Sequence, residues 1–196
     1  MSIFKKFFKS KTSKEIKTSS DQEQINLPLD QIFVNKFLEK KGKFLYCTSL
    51  QEVSQNLNDI IKENNWETII CNDTDLLKVI SVVDVECTSS ISNKHPFLVG
   101  CEHLIAENGS ILFSSNQLGD VKISGLSENF IVYATTSQLV KTKGESLTGI
   151  KSRYKGNIPS NISPIKNYDI SKKEDDFMNY GNTNSKNLYL LLFEDL

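Results

Sequence analysis

The sequence predicts an α/β domain with a largely parallel sheet flanked by helices, and three observations carry that expectation. Short, uniformly apolar runs such as Thr68-Ile69-Ile70-Cys71 and Leu188–Phe193 suit strands covered on both faces. Between such runs lie stretches with apolar residues at helical spacing, the clearest being Leu50, Val53, Leu57, Ile60 and Ile61. The two patterns alternate along the chain, as βαβ units require. Right-handed crossovers then gather the carboxyl ends of the strands on one edge, where α/β proteins usually bind ligands.

At the start of the chain, Ile3, Phe4, Phe7 and Phe8 face away from Lys5, Lys6 and Lys9 at helical spacing. This basic amphipathic turn is expected to dock on its own domain or a partner rather than on a membrane, because so short a segment binds lipid weakly. Residues 11–27 are polar and rich in Ser, Thr and Lys, and read as a mobile linker. The chain therefore divides into an N-terminal segment over 1–28 and a folded domain over 29–196. Asp30 can cap a helix whose apolar face is Ile32, Phe33, Phe37 and Leu38, with Lys40, Lys41 and Lys43 near its negative end. Lys43–Cys47 follows as a strand. Ser49-Leu50-Gln51-Glu52 has the form of a capping box and opens the next helix. Trp66 is expected to pack at the corner leading to the Thr68–Cys71 strand. Asp73 or Thr74 then opens a helix through Leu76, Leu77, Val79 and Ile80.

Phe97–Val99 and Ile111–Phe113 read as neighbouring strands that bracket Glu102, His103 and Glu107. Asn108-Gly109 takes positive φ cheaply and suits a sharp reversal between them. Beyond Asp120–Ser124 come a strand at Glu128–Thr135 and a helix near Ser137–Tyr154. Lys151, Arg153 and Lys155 at its end read as solvated helix-terminal charge. Residues 155–186, with Pro159 and Pro164, form a long connection with little regular structure, and Leu188–Phe193 closes the sheet from inside.

Composition narrows the function classes. The 196 residues can bury a real core, and 38% hydrophobic with 24% charged residues is ordinary for a globular chain. A net charge of −1 offers no electrostatic case for nucleic acid. Cys47, Cys71, Cys87 and Cys101 are scattered with no C-x-x-C, and only two histidines exist to help them, so neither a zinc site nor an iron–sulfur cluster is expected here. The same scatter suits a reducing, cytoplasmic setting. No run approaches the roughly 20 apolar residues of a membrane span, and the N-terminus lacks the apolar core of a signal peptide.

Ionisable groups concentrate at the bend between the two central strands. Glu107 is the leading catalytic candidate, and its simpler reading is that of an acceptor of backbone amides at the turn. His103 gains basicity from a neighbouring carboxylate; were this segment one helical turn, His103 and Glu107 would share a face. Glu102, Asn108, Gly109 and Ser110 would line the same pocket, with Asp120 and Ser124 reaching it from the adjacent strand.

Gly100-Cys101-Glu102-His103-Leu104-Ile105-Ala106-Glu107-Asn108-Gly109-Ser110-Ile111-Leu112 resembles the signature of the LUD-domain family, the lactate utilization proteins B and C, which reads approximately G-A-D-x-x-I-A-E-T-G-T-L. Ile105, Ala106, Glu107 and Gly109 match directly. The likeness runs on through Phe130–Ala134, reaches Asp169-Ile170 where the family has T-A-D-I-E, and ends at Tyr180-Gly181 and Leu188–Phe193. It covers roughly residues 30–196 and is closest to lactate utilization protein C. It implies a NagB/RpiA/CoA-transferase-like fold and makes Asp169 a further ligand-binding candidate. The implied role is that of an accessory subunit in L-lactate oxidation, with no cofactor of its own and iron–sulfur clusters carried by partner proteins of the A and B type. Two departures stand out. Ile162–Ile170 lacks the leading glycine, the threonine and the final glutamate of the family's G-P-S-x-T-A-D-I-E, and Asn182-Thr183-Asn184 replaces the usual His-Gly-Pro. Ala106-Glu107-Asn108-Gly109 also resembles the S-E-N-G motif of family I coenzyme A transferases, in which the glutamate is a nucleophile, and this implies as an alternative a small enzyme using Glu107 on an acyl or phosphosugar ligand. A further alternative is a non-catalytic interaction module anchored by the N-terminal amphipathic turn.

Overall fold

The computed structural model describes residues 27–80, 83–170 and 184–195. The N-terminal amphipathic turn, nearly all of the linker, and the Tyr180–Thr183 part of the closing turn lie outside the described residues, as do the side chains of Val79 and Ile80. Helix α1 (Leu29–Glu39) leads into β1 (Lys43–Cys47), α2 (Leu50–Glu63), β2 (Thr68–Ile70), α3 (Thr74–Ile80), β3 (Glu86–Thr88) and β4 (Phe97–Val99). A hairpin of β5 (His103–Ile105) and β6 (Ser110–Phe113) follows, then α4 (Ser115–Leu118) and β7 (Asn129–Thr135). The chain closes through β8 (Leu139–Val140), α5 (Lys143–Arg153), β9 (Ser163–Ile165) and β10 (Asn187–Phe193).

Six strands form one sheet in the order β1-β10-β7-β4-β2-β3, and every pairing is parallel. Strand side chains alternate between its faces, as the pleat demands. Phe130, Val132 and Ala134 of β7 and Leu188, Leu190 and Leu192 of β10 face α1, which contributes Phe33, Val34 and Phe37. Ile131, Tyr189 and Leu191 face the other way, onto Val53, Leu57, Ile60 and Ile61 of α2. The Ser49 side chain accepts from the Glu52 amide at 3.1 Å, so that helix starts where the capping box placed it. Trp66 packs edge-on against Tyr189, ring centroids 6.2 Å apart.

A second sheet, β8-β5-β6-β9, corrects two expectations. The two apolar runs around the bend are not neighbours: β4 belongs to the parallel sheet, whereas β6 pairs antiparallel with β5. His103 lies in a strand rather than a helical turn, so it and Glu107 do not share a helical face. The long connection also holds β9, paired with β6, and the helix expected near Ser137–Tyr154 is confined to Lys143–Arg153 behind a short 3-10 turn over Thr136–Gln138. One face of the small sheet joins the α1 core through Leu104, Ile111 and Phe113. Its other face packs Ile105 and Leu112 on Ile150 of α5.

The hairpin turn is clamped onto α1. Gly109 has φ +64°, and a Cβ there would lie 2.7 Å from the backbone of both Lys36 and Phe37. Its carbonyl accepts from the Tyr168 hydroxyl at 2.7 Å, and the Asn108 carbonyl accepts from Lys40 Nζ. Gly109→Ala should therefore lower stability by about 2 kcal/mol or more, because a left-handed conformation and a backbone collision act together. The urea midpoint measures this, and an unchanged midpoint would refute the clamp.

Candidate functional site

At the carboxyl edge of the parallel sheet lies a cavity of about 570 Å³. Its floor is the end of β4, Val99 to Cys101. Its walls are Asn72, Asp73 and Thr74 after β2, Tyr133 and Thr135 of β7, Gln138 of the 3-10 turn, and Asn116 and Gln117 of α4. These residues come together because the strands are parallel, so the turns leaving β2, β4 and β7 all emerge on one edge.

The wall formed by α4 is held from behind by Glu102. Its carboxylate is fully buried and accepts from Ser114 Oγ at 2.6 Å, from Asn116 Nδ2 and Gln117 Nε2 at 3.1 Å each, and from the Tyr154 hydroxyl at 3.1 Å. The Arg153 guanidinium stands 3.5 Å away, half exposed at the end of α5. Arg153 is thus partly spent on an internal carboxylate rather than being solvated helix-terminal charge. Burial alone would push the Glu102 carboxyl up, but the hydrogen bonds from Ser114, Gln117, Asn116 and Tyr154 outweigh it and hold the group below its ordinary value. Glu102 is therefore a buried anion that organises its neighbours.

His103 is 4% exposed and sits under α5, where Gly149 makes room for its ring. Nδ1 lies 3.3 Å from the Gln138 carbonyl and must donate to it, which leaves Nε2 a bare acceptor with no partner among the described residues. Burial, ahead of all other influences, lowers its pKa from 6.5, and Arg153 adds to that. A neutral imidazole results.

The other residues singled out from the sequence lie away from the cavity. Glu107 is exposed at the hairpin turn and accepts from the Lys143 amide at 3.1 Å, at the start of α5. Asn108 Oδ1 accepts from the Ser110 amide at 3.0 Å, Gly109 is braced on α1, and Ser110 is buried with its hydroxyl unpartnered. Asp120 and Ser124 are exposed beyond α4, and Asp169 is half-buried near Tyr168. None of these lines the cavity, and neither do Glu102 and His103, which brace it from behind. Sequence reasoning missed Asn72, Thr135, Gln138 and the α4 amides. For Asn72, Thr135 and Gln138 the available signal was their position at or just after the ends of parallel-sheet strands; the α4 amides follow β6 of the small sheet and carried no such signal.

No protein-family model matches the chain, and no curated protein does. A solved structure shares its fold. The crystal structure of a DUF162 family protein from Deinococcus radiodurans, at 1.70 Å resolution, matches with a TM-score of 0.61 and 14% identity, over 86% of this chain and 99% of that one. DUF162 is the LUD-domain-like family, and the six-stranded parallel sheet with flanking helices is consistent with a NagB/RpiA-type architecture. Among the described residues, no group of three or more His, Cys, Asp or Glu side chains converges as a metal site, and no helix is long and apolar enough to cross a membrane.

Two outcomes follow for stability. Glu102→Ala leaves several buried donors and Arg153 without their acceptor and should cost about 3 kcal/mol. Glu107→Ala removes an exposed helix-end carboxylate and should cost under about 1 kcal/mol; chemical denaturation compares the two, and equal losses would refute the assignment of Glu102 as the hub. Acidification probes His103 separately. Its folded pKa lies below 6.5, so the unfolded chain takes up the proton first and stability falls as pH drops through 6.5. Loss of the Glu102 contribution begins lower, below about 4.5. His103→Phe should flatten the upper part of that profile, read as the denaturation midpoint against pH.

Proposed function

We propose that this chain is a LUD-type accessory subunit of a cytoplasmic L-lactate oxidation system, acting with iron–sulfur partner proteins of the A and B type and binding a small molecule in the carboxyl-edge cavity. One observation carries the reading: in a DUF162-type fold, the segment that resembles the LUD signature runs from the floor of the cavity into the buried carboxylate behind its wall. Gly100 and Cys101 line the space, Glu102 orients two of its amides, and Ile105 to Gly109 anchor the hairpin.

The cysteines are dispersed through the fold, Cys47, Cys71 and Cys101 buried and Cys87 exposed. Burial raises the Cys47 and Cys87 thiols and takes Cys71 up to about 11, so none of the three is an activated nucleophile in the free chain. Non-covalent binding in the cavity is favoured over acyl transfer, because Glu107 stands outside it with its carboxylate engaged by the Lys143 amide.

Affinity purification of the full chain from its native host tests the proposal. The expected result is co-elution with proteins whose visible absorption is that of iron–sulfur clusters, while the chain purified alone is colourless. Deleting its gene should stop growth on L-lactate. A chain that elutes alone, in a host that oxidises L-lactate equally well without it, would overturn the assignment.

A further inference from the structure

We infer that the cavity takes a small ligand bringing hydrogen-bond donors and no negative charge, a polyol or a primary amine, through the free oxygens of Asp73 and Asn116. This deepens the proposed function and rests on its reading of the cavity as the ligand site. Charge is the first argument. Among the described residues no lysine, arginine or histidine lines the space, and the one carboxylate that does is Asp73. An anion would lose hydration there, gain no countercharge from a side chain, and face a like charge.

Hydrogen-bond polarity is the second argument, and it is independent of the first. Asp73 Oδ1 accepts from the Asp75 and Leu76 amides at 2.9 and 3.1 Å, capping α3. Its Oδ2 has no partner among the described residues and stands 3.8 Å from where a Cβ on Gly100 would be, on the cavity floor. Asn116 Nδ2 is drawn onto Glu102, which leaves Oδ1 as its free end. Gln117 has both ends engaged, Nε2 on Glu102 and Oε1 on the Ser114 amide. Gln138 is likewise closed, Nε2 on the Cys101 carbonyl and Oε1 on the Thr135 amide. The structural network thus occupies the side-chain amides of Gln117 and Gln138 at both ends and leaves the Asp73 and Asn116 oxygens free, while the Asn72 amide and the hydroxyls of Thr74 and Tyr133 can serve in either sense. A space of about 570 Å³ is of the size that ordinary metabolite sites have.

Calorimetric titration and thermal-shift measurement of the full chain, using D-ribose, ethanolamine, L-lactate, pyruvate and D-ribose 5-phosphate, test this. Ribose or ethanolamine should bind, and each anion should bind at least roughly tenfold more weakly than the better of the two. Asp73→Asn keeps the helix cap, since asparagine caps as well as aspartate, and should weaken ethanolamine by about tenfold with an unchanged melting temperature. Should that variant not fold, the order of affinities in the unaltered chain decides alone. Ribose 5-phosphate, lactate or pyruvate binding as tightly as ribose or ethanolamine overturns the ligand class and leaves the cavity a binding site. Binding of none of the probes overturns both this inference and the ligand-binding part of the proposed function.

Discussion

A buried carboxylate ties together the elements that meet where the two sheets join. Glu102 sits where the chain leaves the parallel sheet and starts the small one, and it carries its charge with no exposed surface. Such a group is tolerated only when several donors converge on it. Those donors come from Ser114 at the end of β6, from α4, and from the last turn of α5. The hairpin, the α4 corner and the α5 terminus must all be in place before the charge is satisfied. Neighbouring His103 extends the constraint, because its neutral ring fits under α5 only where Gly149 presents no side chain.

The segment resembling the LUD signature divides its work on the same lines. Its first residues, Gly100 and Cys101, lie open to the cavity. The Glu107-Asn108-Gly109 end is occupied with bracing: one carboxylate on α5, two carbonyls held by Lys40 and Tyr168, and a glycine pressed on the α1 backbone. The Phe37 and Tyr168 rings, 4.5 Å apart, close the clamp from the other side. A carboxylate beside a glycine turn is an economical reason to look for catalysis, yet in this fold that turn faces a helix.

Periodicity made β7, β10 and α2 legible because these elements are long enough to show a repeat, and the three-residue β2 and β4 showed through as uniformly apolar runs, whereas the exposed β3 was not foreseen. The alternation in β7 and β10 and the helical stripe of α2 correspond to faces that pack as their spacing implies. The small sheet was not legible, because β5, β8 and β9 have only two or three residues each and their partners are distant in the chain. Apolar character alone could not assign β4 and β6 to different sheets. The cavity was hidden for a related reason. Asn72 and Asn116 look like ordinary turn polarity, and the signals that Asp73 carried as a helix cap and Thr135 and Gln138 as a capping box do not say that their turns share a cavity. Their common feature is topological, following from which strand ends share an edge, and so it required the strand order.

Three carboxylates surround the cavity, and each acts on its wall in the same sense. Asp73 draws the first amides of α3 onto Oδ1, and Glu102 draws the amide nitrogens of α4 away from the cavity side. Asp195, just after β10, accepts from the Thr136 hydroxyl at 2.6 Å and from the Ser137 amide at 2.9 Å and hydroxyl at 2.6 Å. What burial it has would raise its carboxyl, but these hydrogen bonds and one from Thr135 hold it well below the usual carboxylate range. It thereby fixes the 3-10 turn that carries Gln138 into the cavity. In each case a charged acceptor binds the donors that shape a turn. Each of these turns is fixed by the donors its carboxylate engages, and the same engagement leaves the Asp73 and Asn116 oxygens to meet whatever enters. Rigidity and hydrogen-bond preference therefore have one physical origin here.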